Sequence, residues 1–586
     1  MHSDNPPPAS TEPRAEPVSR RKKRWEIAPR APASHFDLFP DLPPLLVQIL
    51  YNRGLREPGA VADFLGDAAP PADPFLLKGM GDAVVRLRRA IVQSEPIAVY
   101  GDYDVDGVTA TALLTQALRG WGASVTPYIP DRFEEGYGLN AGALDKLSAQ
   151  GVHVVVTVDC GARALDEVAH ANRLGLDVIV TDHHEPEGDR LPAARALINP
   201  KQPGCLYPDK GMAGVGLAFR LAQALAWELA RDGLSLPFPI DDLLDLVALG
   251  TVADLAPLVD ENRDMVRRGL KLMNTQPRPG VAALCNVAGQ RPGELDAASI
   301  GYSLGPRLNA AGRVEHARAA YELLVSQSLE QAVQFAYQLN EQNRERQRLT
   351  AEMVEAAAVQ ALAADPDAPI LFAASEKFSP GVIGLAASRL VEVYHRPAIV
   401  MSMGDGEARG SSRSIPQFHI THALDECKAL LIRHGGHAAA AGFTVALDRI
   451  GELKAQLTSI AAARRAEGDW SPVLRADAFV RLSTLNYKMV EHLARLEPHG
   501  MQNPQPVFVS RDVRVQGART LKDGAHLKLT LLEKSGRSWD AIAFHMGDRL
   551  NYVTDTIDIV YAVELNTWNG EQRLQLNVKD LQPGQA

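Results

Sequence analysis

Three aspartates spaced two apart, Asp102, Asp104 and Asp106, follow closely on the apolar run Ile97-Ala98-Val99-Tyr100, and Gly107 comes next. Further on, Val152 to Val158 runs into Asp159-Cys160-Gly161, and Asp177 to Val180 runs into Thr181-Asp182-His183-His184. Carboxylates this close repel one another and need water or a cation between them. At the tip of a buried strand a cation is favoured over a solvated Asp-Gly turn. Carboxylates with one or two imidazoles and no thiolate suit a hard or borderline divalent ion, Mn²⁺ or Mg²⁺. Together with Asp254 these groups offer more ligands than one ion needs, which predicts two divalent metal ions. A pair about 3.5–4 Å apart can bind a phosphoryl oxygen, activate water and stabilise the leaving oxygen. Asp254 stands alone in the apolar stretch Gly250-Thr-Val-Ala-Asp-Leu255. An unpaired buried carboxylate is costly, so Asp254 needs a partner, and its own context leaves a helix cap and a metal equally open.

The elements that must position these residues follow from periodicity. Near-continuous Val/Ile runs alternate with helical patterns at Val108 to Leu118 and Ala164 to Leu174. That predicts a parallel sheet covered on both faces, with the acidic strand ends converging on one rim. Gly211, Gly214 and Gly216 precede an apolar helix, Leu217 to Leu229, and read as close-packing positions. Neither G-x-G-x-x-G nor a Walker-type loop is present, which argues against nucleotide-driven chemistry. The stretch from Arg313 to Asp365 has no Gly or Pro and predicts a long helical connector, as two helices or one bent one.

A second α/β unit starts at Pro369, with strands Ile370 to Ala373 and Ala398 to Met401 around a helix, Pro380 to Val393. Its segments Arg409-Gly-Ser-Ser-Arg-Ser414 and Arg433-His-Gly-Gly-His-Ala-Ala-Ala-Ala-Gly442 carry the glycines, hydroxyls and guanidinium groups of an anion site. From about Ser471 the period becomes two, as in Leu527/Leu529/Leu531 and Leu574/Leu576/Val578, and Asn569-Gly570 marks a hairpin. A small barrel of the oligonucleotide-binding type fits, with Lys522, His526, Lys528, Arg537, Trp539 and Trp568 suited to its strand-binding face.

At 586 residues the chain exceeds one core. Its net charge of −10 argues only weakly against nucleic acid, because local basic stripes govern phosphate binding. The four scattered cysteines suggest neither disulfides nor a zinc finger, which fits a reduced cytoplasm. No membrane span or signal core is apparent. Residues 1–35 read as a disordered tail holding the basic cluster Arg20-Arg21-Lys22-Lys23-Arg24.

Asp182-His183-His184 after a strand, with Gly101-Asp-Tyr-Asp-Val-Asp-Gly107 and Val158-Asp-Cys-Gly161 upstream, resembles the DHH phosphoesterase superfamily. Adding Gly250-Thr-Val-Ala-Asp254, Gly305-Pro-Arg-Leu-Asn-Ala-Ala-Gly312 and Gly435-Gly-His-Ala-Ala-Ala-Ala-Gly442, the set resembles the superfamily's RecJ branch, the bacterial single-strand exonucleases. The resemblance covers the chain from about residue 36 onward. It implies an α/β fold in which a parallel-sheet DHH catalytic domain (36–325) is joined by a connecting helix (326–366) to a smaller α/β DHH-associated domain (367–468), followed by a C-terminal OB-fold β-barrel (469–586). It implies an enzyme, a single-stranded-DNA-specific exodeoxyribonuclease working 5′-to-3′ to release 5′-mononucleotides in DNA repair and recombination.

Carried over by motif, the metal ligands are Asp104, Asp106, Asp159, His183 and Asp254, and His184 stands beside the scissile phosphate. Many superfamily members have His where this chain has Tyr100, so Asp102 is an additional candidate ligand. Arg132, Tyr137, Ser411 and Arg413 would hold the 5′ end. Arg307 and Asn309 would line the DNA path, and His437 is a further phosphate contact. A narrow cleft between two α/β domains would admit unpaired DNA only. Candidate protein partners are a single-strand-binding protein and a helicase, around a monomeric enzyme. The competing readings are a phosphoesterase for short oligonucleotides or cyclic dinucleotides, and a non-catalytic scaffold, against which the intact acids and histidines count.

Overall fold

The Val/Ile runs form a five-stranded sheet in the order Val125–Tyr128, Ile97–Tyr100, Val154–Val158, Asp177–Thr181, Ala196–Ile198, parallel throughout. The structure, a computed structural model, describes residues 23–66, 71–132, 134–314, 316–533, 536–568 and 571–584. Ile97–Tyr100 and Val154–Val158 are buried at every position because helices cover both faces of the sheet. On one face lie Val105–Gly120, Gly214–Arg231 and Leu244–Ala253; on the other lie Ala141–Ala149 and Leu165–Arg173. Two strands escape a period-based reading. Val125–Tyr128 contains Pro127, tolerated because the strand is at the edge, and Ala196–Ile198 is only three residues long. The chain leaves Ile97–Tyr100 toward one edge of the sheet and returns at Val154–Val158 on the other side. The switch point therefore falls between the strands that end at Tyr100 and Val158, where α/β sheets open a crevice for ligands.

The chain divides into two compact units. The sheet belongs to one, comprising Ala33–Glu345 and Glu491–Gln505; the other comprises Arg346–Val490 and Pro506–Ala586 with the N-terminal stretch to Pro32. The Gly- and Pro-free stretch forms Arg318–Val325 and a 36-residue helix, Leu329–Ala364, within which the division falls.

Residues 491–505 join the sheet-containing unit through polar backbone contacts. The Leu258 N–H donates to the Met501 carbonyl at 2.8 Å, and Arg263 Nη2 donates to the carbonyls of Arg495 and Glu497 at 2.9 and 2.7 Å. Arg263 also lies 3.9 Å over the Phe64 ring.

In the second unit a sheet runs Leu431–Gly436, Ala440–Ala446, Glu407–Arg413, Ala398–Gly404, Leu371–Ser375, parallel between the last two and antiparallel elsewhere. The helix Ile383–Tyr394 packs on one face; Ile420–Glu426 and Ile450–Glu467 pack on the other. The C-terminal strands close into a five-stranded barrel. Phe508–Leu521 pairs with both His526–Leu532 and Thr556–Trp568, and Ser538–Ala543 with Glu571–Pro583 completes the ring. Trp568 stands opposite Glu571 as the hairpin expectation requires, while Asn569-Gly570 lie outside the described residues.

Two expectations change. Residues 24–27 are not a disordered tail: Arg24–Ile27 is a strand pairing in parallel with Val473–Ala476. The alternation in Arg-Trp-Glu-Ile turns Trp25 and Ile27 onto an apolar cluster with Ala476, Val509 and Val560, and the Trp25 indole donates to Asp580 at 2.8 Å. Arg20, Arg21 and Lys22 of the basic cluster lie outside the described residues. In the barrel, Trp539 and His526 are core groups, not a strand-binding face. Trp539 is 2% exposed because it stands in register with the inward-facing Leu531. Lys528 pairs with Asp540 at 3.4 Å, and Arg537 covers the Trp539 ring.

Arg263→Ala leaves the carbonyls of Arg495 and Glu497 without their charged donor, a loss of about 2–3 kcal/mol. The expected outcome is early loss of hydrogen-exchange protection at residues 495–503, with the parallel sheet still protected.

Candidate metal centre and nucleic-acid contacts

The strand Ile97–Tyr100 stops at Gly101, and the helix Val105–Gly120 starts within the acidic turn. Asp104 is its N-cap, accepting the Gly107 N–H at 3.1 Å. Asp106, in the first turn, is buried, and both its oxygens accept backbone N–H groups at the start of the helix Gly214–Arg231, from Gly214 at 2.7 Å and Val215 at 2.9 Å. A helix N-terminus is a natural seat for a carboxylate. Asp159 follows the strand Val154–Val158 with φ 62°, and His183 follows Asp177–Thr181. Asp254 closes the C-terminal end of Leu244–Ala253, so it is no N-cap, and its carboxylate lies 3.8 Å from His183 Nε2.

These groups meet. His183 Nε2 lies 3.1 Å from Asp159 Oδ1 and 3.8 Å from Asp106 Oδ2. Three overlapping sets each have ligand atoms within 4.8 Å of one another: Asp159/His183/His184, Asp106/His183/Asp254 and Asp102/Asp104/Asp159. Asp102 Oδ1, Asp159 Oδ1 and His183 Nε2 are buried with no hydrogen-bond partner among the described residues. Burial, then the Asp104 charge, pushes the Asp102 carboxyl up to about 8 and that of Asp254 to about 7. Burial followed by neighbouring carboxylates raises Asp106 and Asp159 as well. Burial, then His184, lowers His183 to about 4, which keeps the imidazole neutral as a ligand must be. Carboxyls that resist ionisation together, beside a neutral imidazole with a bare nitrogen, fit divalent cations in that space.

Asp182 is built differently. It is buried and accepts the Ala162 N–H at 2.7 Å, the His184 N–H at 3.0 Å and His184 Nδ1 at 2.8 Å. Burial alone would raise its pKa, but the bonds from His184 hold it low; the same pairing raises His184 against the effect of burial. His184 is thus oriented by a carboxylate, and that pairing favours its protonated form. Tyr137 is 54% exposed, with its hydroxyl 3.3 Å from His184 Nδ1 and its ring edge-on to His184 and Tyr103. The Arg132 guanidinium lies 4.9 Å over the Tyr103 ring. Tyr100 stands away from the carboxylates: its hydroxyl donates to the Gly138 carbonyl at 2.9 Å and accepts from Asn140 at 3.1 Å, fixing the loop that carries Tyr137.

Arg307 and Asn309 lie on the helix Gly305–Val314. It passes from Ala253, beside Gly305, to the Tyr103 carbonyl, beside Gly312, and so flanks the acidic cluster. Arg307 is tied to the Ser303 carbonyl at 2.8 Å and Asn340 Oδ1 at 3.1 Å.

In the second unit Arg413 Nη1 donates to Ser411 Oγ at 3.0 Å, and both side chains lie against Gly384 in the first turn of Ile383–Tyr394. Burial lowers the Arg413 pKa because desolvation disfavours the charged guanidinium, and Nη1 also donates to the Ser412 carbonyl at 2.8 Å. His437 is exposed in the turn between Leu431–Gly436 and Ala440–Ala446.

The residue that sequence reasoning under-used is Gly214. A Cβ there would come within 2.6 Å of Asp159 Cβ and 2.8 Å of Asp159 Oδ1. The glycine brings two N–H donors onto Asp106 while leaving room for Asp159. Gly214→Ala is expected to weaken Mn²⁺ binding, read by titration calorimetry, by about 10–100-fold, the usual cost of disturbing groups behind metal ligands. Far-UV circular dichroism should be unchanged.

Comparison with known proteins bears on this geometry. The DHH family N-terminal domain matches residues 96–251, the DHHA1 domain 367–463 and the RecJ OB domain 476–580. The single-stranded-DNA-specific exonuclease RecJ of Bacillus subtilis is 38% identical over 567 residues, covering 95% of this chain and 71% of the relative. That of Escherichia coli K12 is 34% identical over 590 residues, covering 96% of this chain and all of the relative (100%). The crystal structure of Thermus thermophilus RecJ in complex with Mn²⁺ superposes with a TM-score of 0.82 at 29% identity, covering 96% of this chain and 80% of that one; a Mg²⁺ complex of the same protein gives 0.76 at 28%. This chain belongs to the RecJ family of single-stranded-DNA-specific exonucleases.

Proposed function

We propose that the chain is a two-metal exonuclease that degrades single-stranded DNA from the 5′ end to 5′-mononucleotides, as a monomer in the cytoplasm, in repair and recombination. The observation that carries this reading is the pair of donor sets, Asp106/His183/Asp254 and Asp102/Asp104/Asp159, bridged by the 3.1 Å approach of His183 to Asp159. Asp104, Asp106, Asp159, His183 and Asp254 hold two Mn²⁺ or Mg²⁺ ions, with Asp102 completing the outer set. Bound ions supply Lewis-acid polarisation of the phosphodiester and activation of the attacking water.

The chain's own residues do the rest. His184, oriented by Asp182, meets the non-bridging oxygens of the scissile phosphate. Tyr137 stacks on a base near the 5′ end, steadied by the Tyr103–Arg132 pair, and Arg307 and Asn309 line the strand. Ser411, Arg413 and His437 take the terminal phosphate. Water adds to phosphorus as the P–O3′ bond breaks. The leaving nucleotide keeps its 5′-phosphate and gains a 3′-hydroxyl, and the next residue acquires a 5′-phosphate. Each turnover thereby regenerates the group that the anion pocket holds, a physical basis for repeated cleavage.

With Mn²⁺, a 5′-labelled single strand should release labelled mononucleotide from the first turnover, a 3′-labelled strand should release label only late, and duplex should resist. Early release from the 3′ label would overturn the polarity. Asp159→Ala should abolish nucleotide release while keeping the fold; unchanged release would remove the metal cluster from the chemistry.

A further inference from the structure

Two loops border the metal centre. Residues 207–213 lead into Gly214 and Val215, whose N–H groups hold Asp106, and residues 255–258 follow Asp254. Neither loop belongs to a strand or a helix, so contacts from outside must fix where each one stands. The loops meet where a Cβ on Gly211 would come within 3.2 Å of Pro257 Cγ. Asn262, in the first turn of the helix Asp260–Thr275, bridges that contact. Its Nδ2 donates to the Gly211 carbonyl at 2.8 Å and to the Pro257 carbonyl at 3.0 Å. Gly211 lies three residues before Gly214, and Pro257 three residues after Asp254.

Asn262 is 1% exposed, and its Oδ1 is buried with no hydrogen-bond partner among the described residues. A buried acceptor left empty is unfavourable, so the amide is held in place for its two donors. The same helical turn also fixes the helix that starts at Gly214. Glu261 accepts from Arg220 Nε at 3.1 Å and Nη2 at 2.7 Å, and from the Tyr207 hydroxyl. Arg220 is buried on Gly214–Arg231, and Tyr207 opens the first loop. Glu261 therefore secures one side of the metal centre, and Asn262 joins that side to the loop behind Asp254. Asp106 and Asp254 share a donor set with His183, whereas Asp102 and Asp104 stand on the turn before Val105–Gly120.

We propose that Asn262 is a positioning residue of the metal centre, clamping residues 207–213 to residues 255–258 and so holding Asp106 and Asp254 at the separation one divalent ion requires. This rests on the reading of Asp106, His183 and Asp254 as ligands of one ion. Asn262 touches neither that ion nor the substrate. Carboxylates that share a site repel one another, and the repulsion pushes the loops apart when no cation is between them. A clamp outside the pocket resists that opening without competing for the ligand atoms.

The test uses the full chain and Mn²⁺ alone. In titration calorimetry Asn262→Ala should weaken one of two binding events by about 10–100-fold and leave the other within about twofold. Asn262→Asp, equal in size but without the donors, should do the same. Met273→Ala, a buried site eleven residues along the same helix, removes core packing without reaching either loop and should bind both ions as the wild type does. In chelator, amide hydrogen exchange in Asn262→Ala should quicken at residues 211–215 and 255–258 together, with Ile97–Tyr100 still protected. Should Asn262→Ala not fold, Gly211→Val, which presses on Pro257 with Asn262 intact, carries both measurements in the same direction. Wild-type Mn²⁺ binding in the folded variant, equal weakening of both ions, the same weakening in Met273→Ala, or unchanged exchange at either loop overturns the proposal. Exchange is read without metal and decides the clamp separately; a wild-type chain that binds fewer than two ions fails the two-metal reading instead.

Discussion

A carboxylate in a dry pocket persists only where donors or positive charge meet it. The protein braces some of its buried acids with backbone and side-chain donors. Asp182 takes three donors, and Asp106 takes two from a helix N-terminus. It leaves others open. Asp102 and Asp159 each keep a bare oxygen, and His183 keeps a bare nitrogen facing Asp159. Asp106 and Asp182 fix the helix and the imidazole on either side of the pocket, and the bare atoms converge between them, where a cation relieves their mutual repulsion.

That convergence follows from sheet topology. Parallel strands end on the same edge, and the order reverses between Ile97–Tyr100 and Val154–Val158. Loops leaving a switch point diverge to opposite faces and open a crevice. The crevice is closed from below by the glycine face of two helices. Gly214 lies against Asp159 and Gly250 against Asp106, where a Cβ would come within 2.8 Å of an Asp106 oxygen. Small residues let the helix ends approach the acids closely enough for backbone N–H groups to reach them. The metal centre is therefore a property of packing as much as of ligand identity.

Much of this was legible because strand, acid and helix alternate in the chain with few interruptions. The run Ile97–Tyr100 followed by aspartates announces both a strand and its functional end. The role of Gly214 was not legible. A glycine before an apolar helix looks the same whether it faces a carboxylate or, like Gly216, the Met212 side chain. Trp539 misled for a related reason: aromatics in a barrel sequence serve the core or the binding face according to register, and a single phase of the period-two pattern places Trp539 with Leu531 inside. Trp25 was concealed by the polar stretch around it, since its strand exists only by pairing with Val473–Ala476, far along the chain.

Domain edges drawn along the chain miss residues 491–505. The RecJ OB domain spans 476–580, yet this segment packs with the catalytic sheet's unit. Its anchor points are informative. Leu258, whose N–H binds Met501, lies four residues beyond Asp254, and Leu255 between them adopts φ 60°. A left-handed residue costs free energy outside glycine and persists where surroundings hold it. The Met501 contact on one side and the Leu244–Ala253 helix on the other bracket that turn. The orientation of Asp254 toward His183 is thus secured partly by chain from the C-terminal third. A truncation before residue 491 consequently removes a support of the metal centre along with the barrel. A shortened chain that lost cleavage would be reporting on Asp254 as well as on strand binding.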